Sequence, residues 1–208
     1  MSIQKYIAEF IGTFFLVLIT GLTGSPIAIG LVFGVLIYWG SNISGGHFNP
    51  AISLAVVIKG GIKISDFIYY SVAQILGALF ASLVIFSFRD VAYYPAPGLD
   101  VHFVKSMLCE LMLTFLLCSV YLTVMFNKKF TGNYIYGIAV GFTLITITFT
   151  ANSISGGVFN PALGLGTEVF DLFISGEGIK YSWLYIVGPF TGAALAGFVY
   201  NFFENSNN

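Results

Sequence analysis

A nine-residue segment occurs almost twice in this chain. Ile43-Ser44-Gly45-Gly46-His47-Phe48-Asn49-Pro50-Ala51 returns as Ile154-Ser155-Gly156-Gly157-Val158-Phe159-Asn160-Pro161-Ala162, differing only where His47 faces Val158. Each copy is polar and Gly-rich, ends in Asn-Pro-Ala and lies inside a long apolar stretch. Phe10 to Ile58 carries no Asp, Glu, Lys or Arg; neither does Phe130 to Thr167, nor Tyr181 to Phe203. A spanning helix needs about 20 apolar residues, so these runs hold several crossings. Irregular backbone at membrane depth is tolerated only where it is buried in protein or lines a watery cavity. Two such segments in matching halves point to a path near the bilayer midplane.

The composition agrees with a bilayer environment. Of 208 residues, 57% are hydrophobic and 8% charged, against about 25% charged in soluble domains. A net charge of −1 gives no reason to expect nucleic acid as a partner. The first apolar run continues into a second without a cleavage-type boundary, so a removable leader is not expected. Cys109 and Cys118 share one apolar segment and read as small core residues rather than a disulfide or metal pair. No nucleophile–base pair, metal-ligand cluster or phosphate loop stands out. The chain is read as a non-enzyme without cofactor or metal.

Turn and stop signals divide the chain into six spans and two half-spans. The spans are expected at about Gln4–Leu22, Ile27–Trp39, Asp66–Phe88, Phe103–Phe126, Asn133–Thr150 and Tyr181–Phe203. Half-helices are expected at about Asn49–Ile58 and Asn160–Phe170, the first stopped by Gly60 and Gly61. The fold class is therefore all-α membrane protein, one domain over residues 1–208. Three spans and one half-helix recur in each half, about 1–100 and 101–208. Ala8-Glu9-Phe10 with Thr13-Phe14 is echoed by Cys109-Glu110-Leu111 with Thr114-Phe115. An odd number of spans per half makes the second copy enter upside down, an inverted repeat. With both termini inside, Lys5, Lys59, Lys63, Lys128 and Lys129 are cytoplasmic and Arg89, Lys105 and Lys180 lie outside. Gly30 and Gly34, Gly137 and Gly141, Gly188 and Gly192, and Gly77 and Ala81 have the four-residue spacing of close helix packing. Short loops and a short polar tail suit a microbial cytoplasmic membrane.

Asn is a preferred N-cap and Pro suits the first helical position. Asn49-Pro50 and Asn160-Pro161 thus each read as a helix start preceded by extended backbone. In an inverted architecture the two starts meet head to head, each carrying about half an elementary positive charge. Cations are disfavoured there, and the asparagine amides can donate to a passing oxygen while capping the backbone. Gly45, Gly46 and His47, with Gly156, Gly157 and Val158, present carbonyl acceptors along one wall. Such a tube suits small neutral hydroxylated molecules and repels ions. Glu9 and Glu110 are intramembrane carboxylates at matching places. They are expected to accept hydrogen bonds from the re-entrant backbone rather than to relay protons. His47 is expected to shape its loop, and His102 to be solvated.

These residues resemble the aquaporin, or major intrinsic protein, family. The match runs through Ala8 to Phe14, Ile43 to Ala51, Ala73 to Ala78, Glu110, Asn160-Pro161-Ala162, and Gly188-Pro189 with Gly192-Ala193. The resemblance implies six tilted helices around two re-entrant half-helices, one pore per subunit and a homotetramer. It also implies passive flow of water or small uncharged solutes. The family usually carries Arg after the second Asn-Pro-Ala; here Leu163 stands there, followed by Gly164 where glycerol conductors carry Asp. Counted from the motifs, the remaining filter positions fall on Ile29, Thr148 and Gly157. Neither the water-selective nor the glycerol-conducting set is present. Losing the guanidinium removes a cation barrier and several donors. The outer mouth is expected to be wider and more apolar, admitting polyols or neutral metalloid hydroxides. Alternatively Leu163 swings inward and makes a narrow, gated water channel. Further alternatives are a closed-pore structural or adhesive membrane protein and an ion-coupled transporter.

Overall fold

The computed structural model describes residues 3–127, 132 and 134–205. Lys128 and Lys129, used above for orientation, and Asn133, the expected start of the fifth span, lie outside the described residues, as does the end of the polar tail. Among the described residues there are eight α-helices and no strand. They are α1 Gln4–Thr23, α2 Pro26–Gly40, α3 Pro50–Lys59, α4 Ile64–Arg89, α5 Phe103–Phe126, α6 Tyr136–Ala151, α7 Pro161–Asp171 and α8 Ser182–Asn205. A short 3-10 turn, Gly178–Tyr181, precedes α8.

Local signals explain most boundaries. Gly24 ends α1 in the left-handed region, where its missing Cβ costs nothing. Ser25 then caps α2 by accepting from the Ala28 N–H, with Pro26 in the first turn. Asp90, also left-handed, ends α4. His102 is exposed, as expected, and also caps α5: its Nδ1 accepts from the Val104 N–H at 3.3 Å.

Four described helices, α1, α4, α5 and the segment containing α8, are long and apolar enough to cross a bilayer by themselves. α2 and α6 are shorter, 15 and 16 residues. These two helices run directly into the repeated irregular segments, which take over the remaining depth. They also pack on one another more closely than ordinary side chains permit. A Cβ on Gly30 would lie 2.4 Å from the Gly141 carbonyl oxygen, and one on Gly141 would lie 2.6 Å from that of Gly30. Gly34 and Gly137 repeat the arrangement one turn along, at 2.6 and 2.5 Å. The same device joins α1 to α4 at Gly77 and α5 to α8 at Gly192.

Large apolar side chains cover the outside: Leu31, Val35, Phe80, Met112, Phe142 and Phe198 are all exposed. The interior holds the polar groups instead, with Glu9, Gln74, Glu110, Glu168 and Asp171 buried. The apolar exterior is what a hydrocarbon surround requires, while the interior combines an apolar core with these polar groups.

The two buried glutamates fix the irregular segments to the helices. Glu9 accepts from Ser44 Oγ at 2.6 Å, His47 N at 3.0 Å, Phe48 N at 2.6 Å and Gln74 Nε2 at 2.7 Å. Glu110 accepts from Ser155 Oγ at 2.6 Å, Val158 N at 3.0 Å and Phe159 N at 2.7 Å. Each carboxylate thus gathers backbone donors that no helix or sheet could satisfy.

Two outcomes test these supports. Gly141→Val should destabilise the protein by about 1–3 kcal/mol or more, the cost of overpacking a tight contact. It is read as a lower thermal midpoint in detergent. Glu110→Gln puts an amide donor where only donors converge. It should cost about 3 kcal/mol or more, two charge-assisted bonds at their lower usual strength, with loss of the monodisperse species on size exclusion.

Candidate functional site

The repeated segments reach their helices through the same backbone path. Gly45 and Gly46 have φ of 96° and 68°, Gly156 and Gly157 of 90° and 65°. Only glycine adopts these values without strain. Phe48 and Phe159 follow at φ 49° and 50°, which is unusual for a bulky residue. Both hold this conformation while fully buried, with their N–H groups bonded to Glu9 and Glu110 respectively. Asn49 and Asn160 then return to extended backbone and start α3 and α7, with Pro50 and Pro161 in first position.

Each asparagine uses its amide twice. Asn49 Oδ1 accepts from Ala51 N at 2.8 Å, and Asn160 Oδ1 accepts from Ala162 N at 3.0 Å and more loosely from Leu163 N at 3.4 Å. On the other side the two segments exchange bonds. Asn49 Nδ2 donates to the Phe159 carbonyl at 2.8 Å, and Asn160 Nδ2 donates to the Phe48 carbonyl at 3.0 Å. This reciprocal pair brings the two helix starts together inside the protein. Each amide retains one further N–H, and two helix N-termini concentrate positive potential at the same place.

Both asparagines line one cavity. Its wall also holds Leu16 and Thr20 of α1, Ile29 and Phe33 of α2, Leu117 of α5, Leu144 of α6, and Gly157, Val158 and Leu163. The space open to the centre of a water molecule is about 20 Å³, room for one or two waters. Of the four expected filter positions, Ile29, Gly157 and Leu163 line this cavity and Thr148 does not. Thr148 stands behind Gly157, whose added Cβ would lie 3.5 Å from the Thr148 carbonyl oxygen. The buried Thr148 hydroxyl has no hydrogen-bond partner among the described residues. Leu163 belongs to an apolar cluster with Val17, Val158, Leu184 and Tyr185 and borders the cavity beside Asn160. A side chain at Gly164 would collide with Tyr185, its Cβ only 2.6 Å away.

Among the six expected carbonyl positions, Gly157 and Val158 line the cavity; Gly45, Gly46, His47 and Gly156 do not. The Gly45 carbonyl accepts from Tyr121 Oη at 2.7 Å. His47 is buried between the rings of Tyr70 and Tyr121, with Nδ1 3.0 Å from Ser53 Oγ. Pro50, Ala51, Pro161 and Ala162 are buried at the two helix starts.

Three tyrosines hold the segments and carry no motif in the sequence. Tyr70 donates to the Ser44 carbonyl at 2.8 Å, Tyr121 to that of Gly45, and Tyr185 to that of Ser155 at 2.7 Å. A tyrosine inside an apolar span must bring its hydroxyl to an acceptor. That was the available signal, but it does not say which acceptor. Cys109 and Cys118 are free thiols.

Comparison with known proteins follows the same lines. Residues 1–200 match the family model described as major intrinsic protein. The chain is 37% identical over 210 residues to glycerol uptake facilitator protein-like 6 of Lactiplantibacillus plantarum, covering 94% of this chain and 95% of that protein. It is 36% identical over 216 residues to the probable aquaporin NIP4-2 of Arabidopsis thaliana, covering 96% of this chain and 74% of that one. Among solved structures, the aquaglyceroporin from Plasmodium falciparum superposes with a TM-score of 0.83 at 22% identity, covering 96% of this chain and 95% of that one. The last likeness shows the fold: α1, α2, α4, α5, α6 and α8 cross the membrane, and α3 and α7 are half-helices. The chain belongs to the major intrinsic protein family, whose members are multi-pass membrane channels rather than enzymes.

Proposed function

We propose that this protein passes water and small uncharged solutes across a membrane, down their gradients. The observation that carries the reading is the reciprocal pair of bonds from Asn49 to the Phe159 carbonyl and from Asn160 to the Phe48 carbonyl. It supports two free amide donors and two positive helix ends bordering a cavity between apolar walls. A solute oxygen is offered donors there, and a cation meets two positive helix ends on a cavity wall that presents no carboxylate. The relatives named glycerol uptake facilitator and aquaporin support the same solute class.

The filter in this reading is Ile29, Gly157 and Leu163 on the cavity wall, with Thr148 against Gly157, and is more apolar than one carrying arginine. Polyols and neutral metalloid hydroxides are its cargo beside water, passing as the Leu163 and Ile29 side chains give way. The cavity volume of about 20 Å³ favours a second reading, a narrow water channel gated by Leu163. The unit of function is a single channel domain over residues 1–208, built of inverted repeats at about 1–100 and 101–208. Matched packing of α1 on α4 and α5 on α8 supports that division. The assembly is a homotetramer, which would cover part of the exposed apolar surface. The membrane is a microbial cytoplasmic one with both termini inside. Lys5, Lys59 and Lys63 at one end of the bundle support this orientation.

Stopped-flow light scattering on reconstituted vesicles tests the reading. Vesicles with protein should shrink faster than lipid alone, and should reswell with glycerol as osmolyte. Leu163→Ala should raise glycerol flux, and Leu163→Arg should lower it about tenfold, the effect of roughly 1.4 kcal/mol on a barrier, with water flux largely kept. Shrinkage at the lipid rate would exclude a channel. Water passage without glycerol passage would select the narrow gated form.

A further inference from the structure

We propose that Thr20, near the outer end of α1, is the polar side chain that keeps the outer half of the passage wetted and so sets how fast water crosses. The proposal deepens the channel reading and rests on it. Thr20 lines the same cavity as Asn49 and Asn160, although the resemblance-based filter does not include it. Among the described residues of that wall, it is the one side chain besides the two asparagines that bears a polar atom. The rest of the side-chain wall is apolar, from Leu16, Ile29, Phe33, Leu117, Leu144 and Leu163. Apolar cavities of this size stay dry, because a water needs two to four polar partners.

The chemistry of Thr20 complements the asparagines. Its hydroxyl hydrogen is committed to the Leu16 carbonyl at 2.8 Å. What the side chain still offers is an acceptor. Each asparagine amide offers the opposite, a spare N–H, because its oxygen caps a helix and its other hydrogen crosses to the partner segment. A water entering the cavity can accept at the asparagine end and donate towards Thr20, with the backbone of Gly157 and Val158 as further polar wall. Leu163 gives this region no donor of its own, so the contribution of a single hydroxyl is large. Thr20 is also separable from the fold: its recorded side-chain hydrogen bond goes to its own helix, one turn back.

Thr20→Val keeps the shape and removes the acceptor; Thr20→Ser keeps the hydroxyl. Both variants and the parent are reconstituted in vesicles, and osmotic water permeability is measured by stopped flow. The thermal midpoint in detergent serves as the folding control. T20V should lose water permeability about tenfold over the lipid background, the factor that one lost hydrogen bond of ordinary strength makes in a rate. T20S should retain the parent rate, and both should unfold near the parent midpoint. T20V conducting water at the parent rate would overturn the role of Thr20 and leave the channel reading intact. A parent that shrinks only at the lipid rate takes both down. If T20V does not fold, Thr20→Ala is compared with T20S: a slow alanine variant beside a fast serine variant supports the proposal, and equal rates reject it.

Discussion

Buried backbone without secondary structure is the central physical problem of this protein, and two carboxylates answer it. Residues 47–48 and 158–159 leave N–H groups that no helix or turn collects and that no water inside a bilayer would satisfy. Glu9 and Glu110 collect them. What lies nearer the cavity builds on that, because Phe48 and Phe159 take an unfavourable left-handed conformation at the points where their N–H groups are bound. Those two residues in turn aim their carbonyls at the opposite asparagine.

The two braces are similar but unequal. Glu9 has four donors, the fourth being Gln74, which also reaches Ser53 at 3.2 Å. Ser53 donates to the Asn49 carbonyl and stands 3.0 Å from His47. The first segment is thereby tied to α1, α3 and α4 through one polar network. Glu110 has three donors and no such glutamine, and the α8 helix beside it carries Pro189. The second segment also has one tyrosine brace where the first has two: Tyr185 holds the Ser155 carbonyl and packs against Gly164, while Tyr70 and Tyr121 hold the carbonyls of Ser44 and Gly45. Networks with more bonded members are stiffer than their pairs alone. The second segment, the one bordering Leu163, is accordingly the less constrained of the two.

Much of this was legible in the residues. A duplicated Gly-Gly-x-Phe-Asn-Pro-Ala inside uncharged runs announces two helix starts at membrane depth, since proline and asparagine have fixed preferences at those positions. Paired glutamates announce a partner because an isolated one would be too costly. The four-residue glycine spacing announces close crossings, and Gly30, Gly34, Gly137 and Gly141 form one. Other features depend on three-dimensional neighbours that no local pattern encodes. Thr148 counts into the filter by position, yet it sits behind Gly157 and not on the cavity wall. His102 sits in a polar loop and is exposed as its surroundings suggest, but the sequence does not show that its ring also accepts from the Val104 N–H at the start of α5. Thr20 lies in an unremarkable apolar helix, and only the convergence of six elements on one space gives it a polar task.

The exchanged amide bonds have a consequence for how this chain can vary. Asn49 satisfies a carbonyl belonging to the later segment, and Asn160 satisfies one belonging to the earlier. Altering either side chain therefore orphans an acceptor a hundred or more positions away in sequence, while also uncapping its own helix. Neither copy is free to drift alone; a tolerated change at one amide calls for a matching adjustment across the dyad.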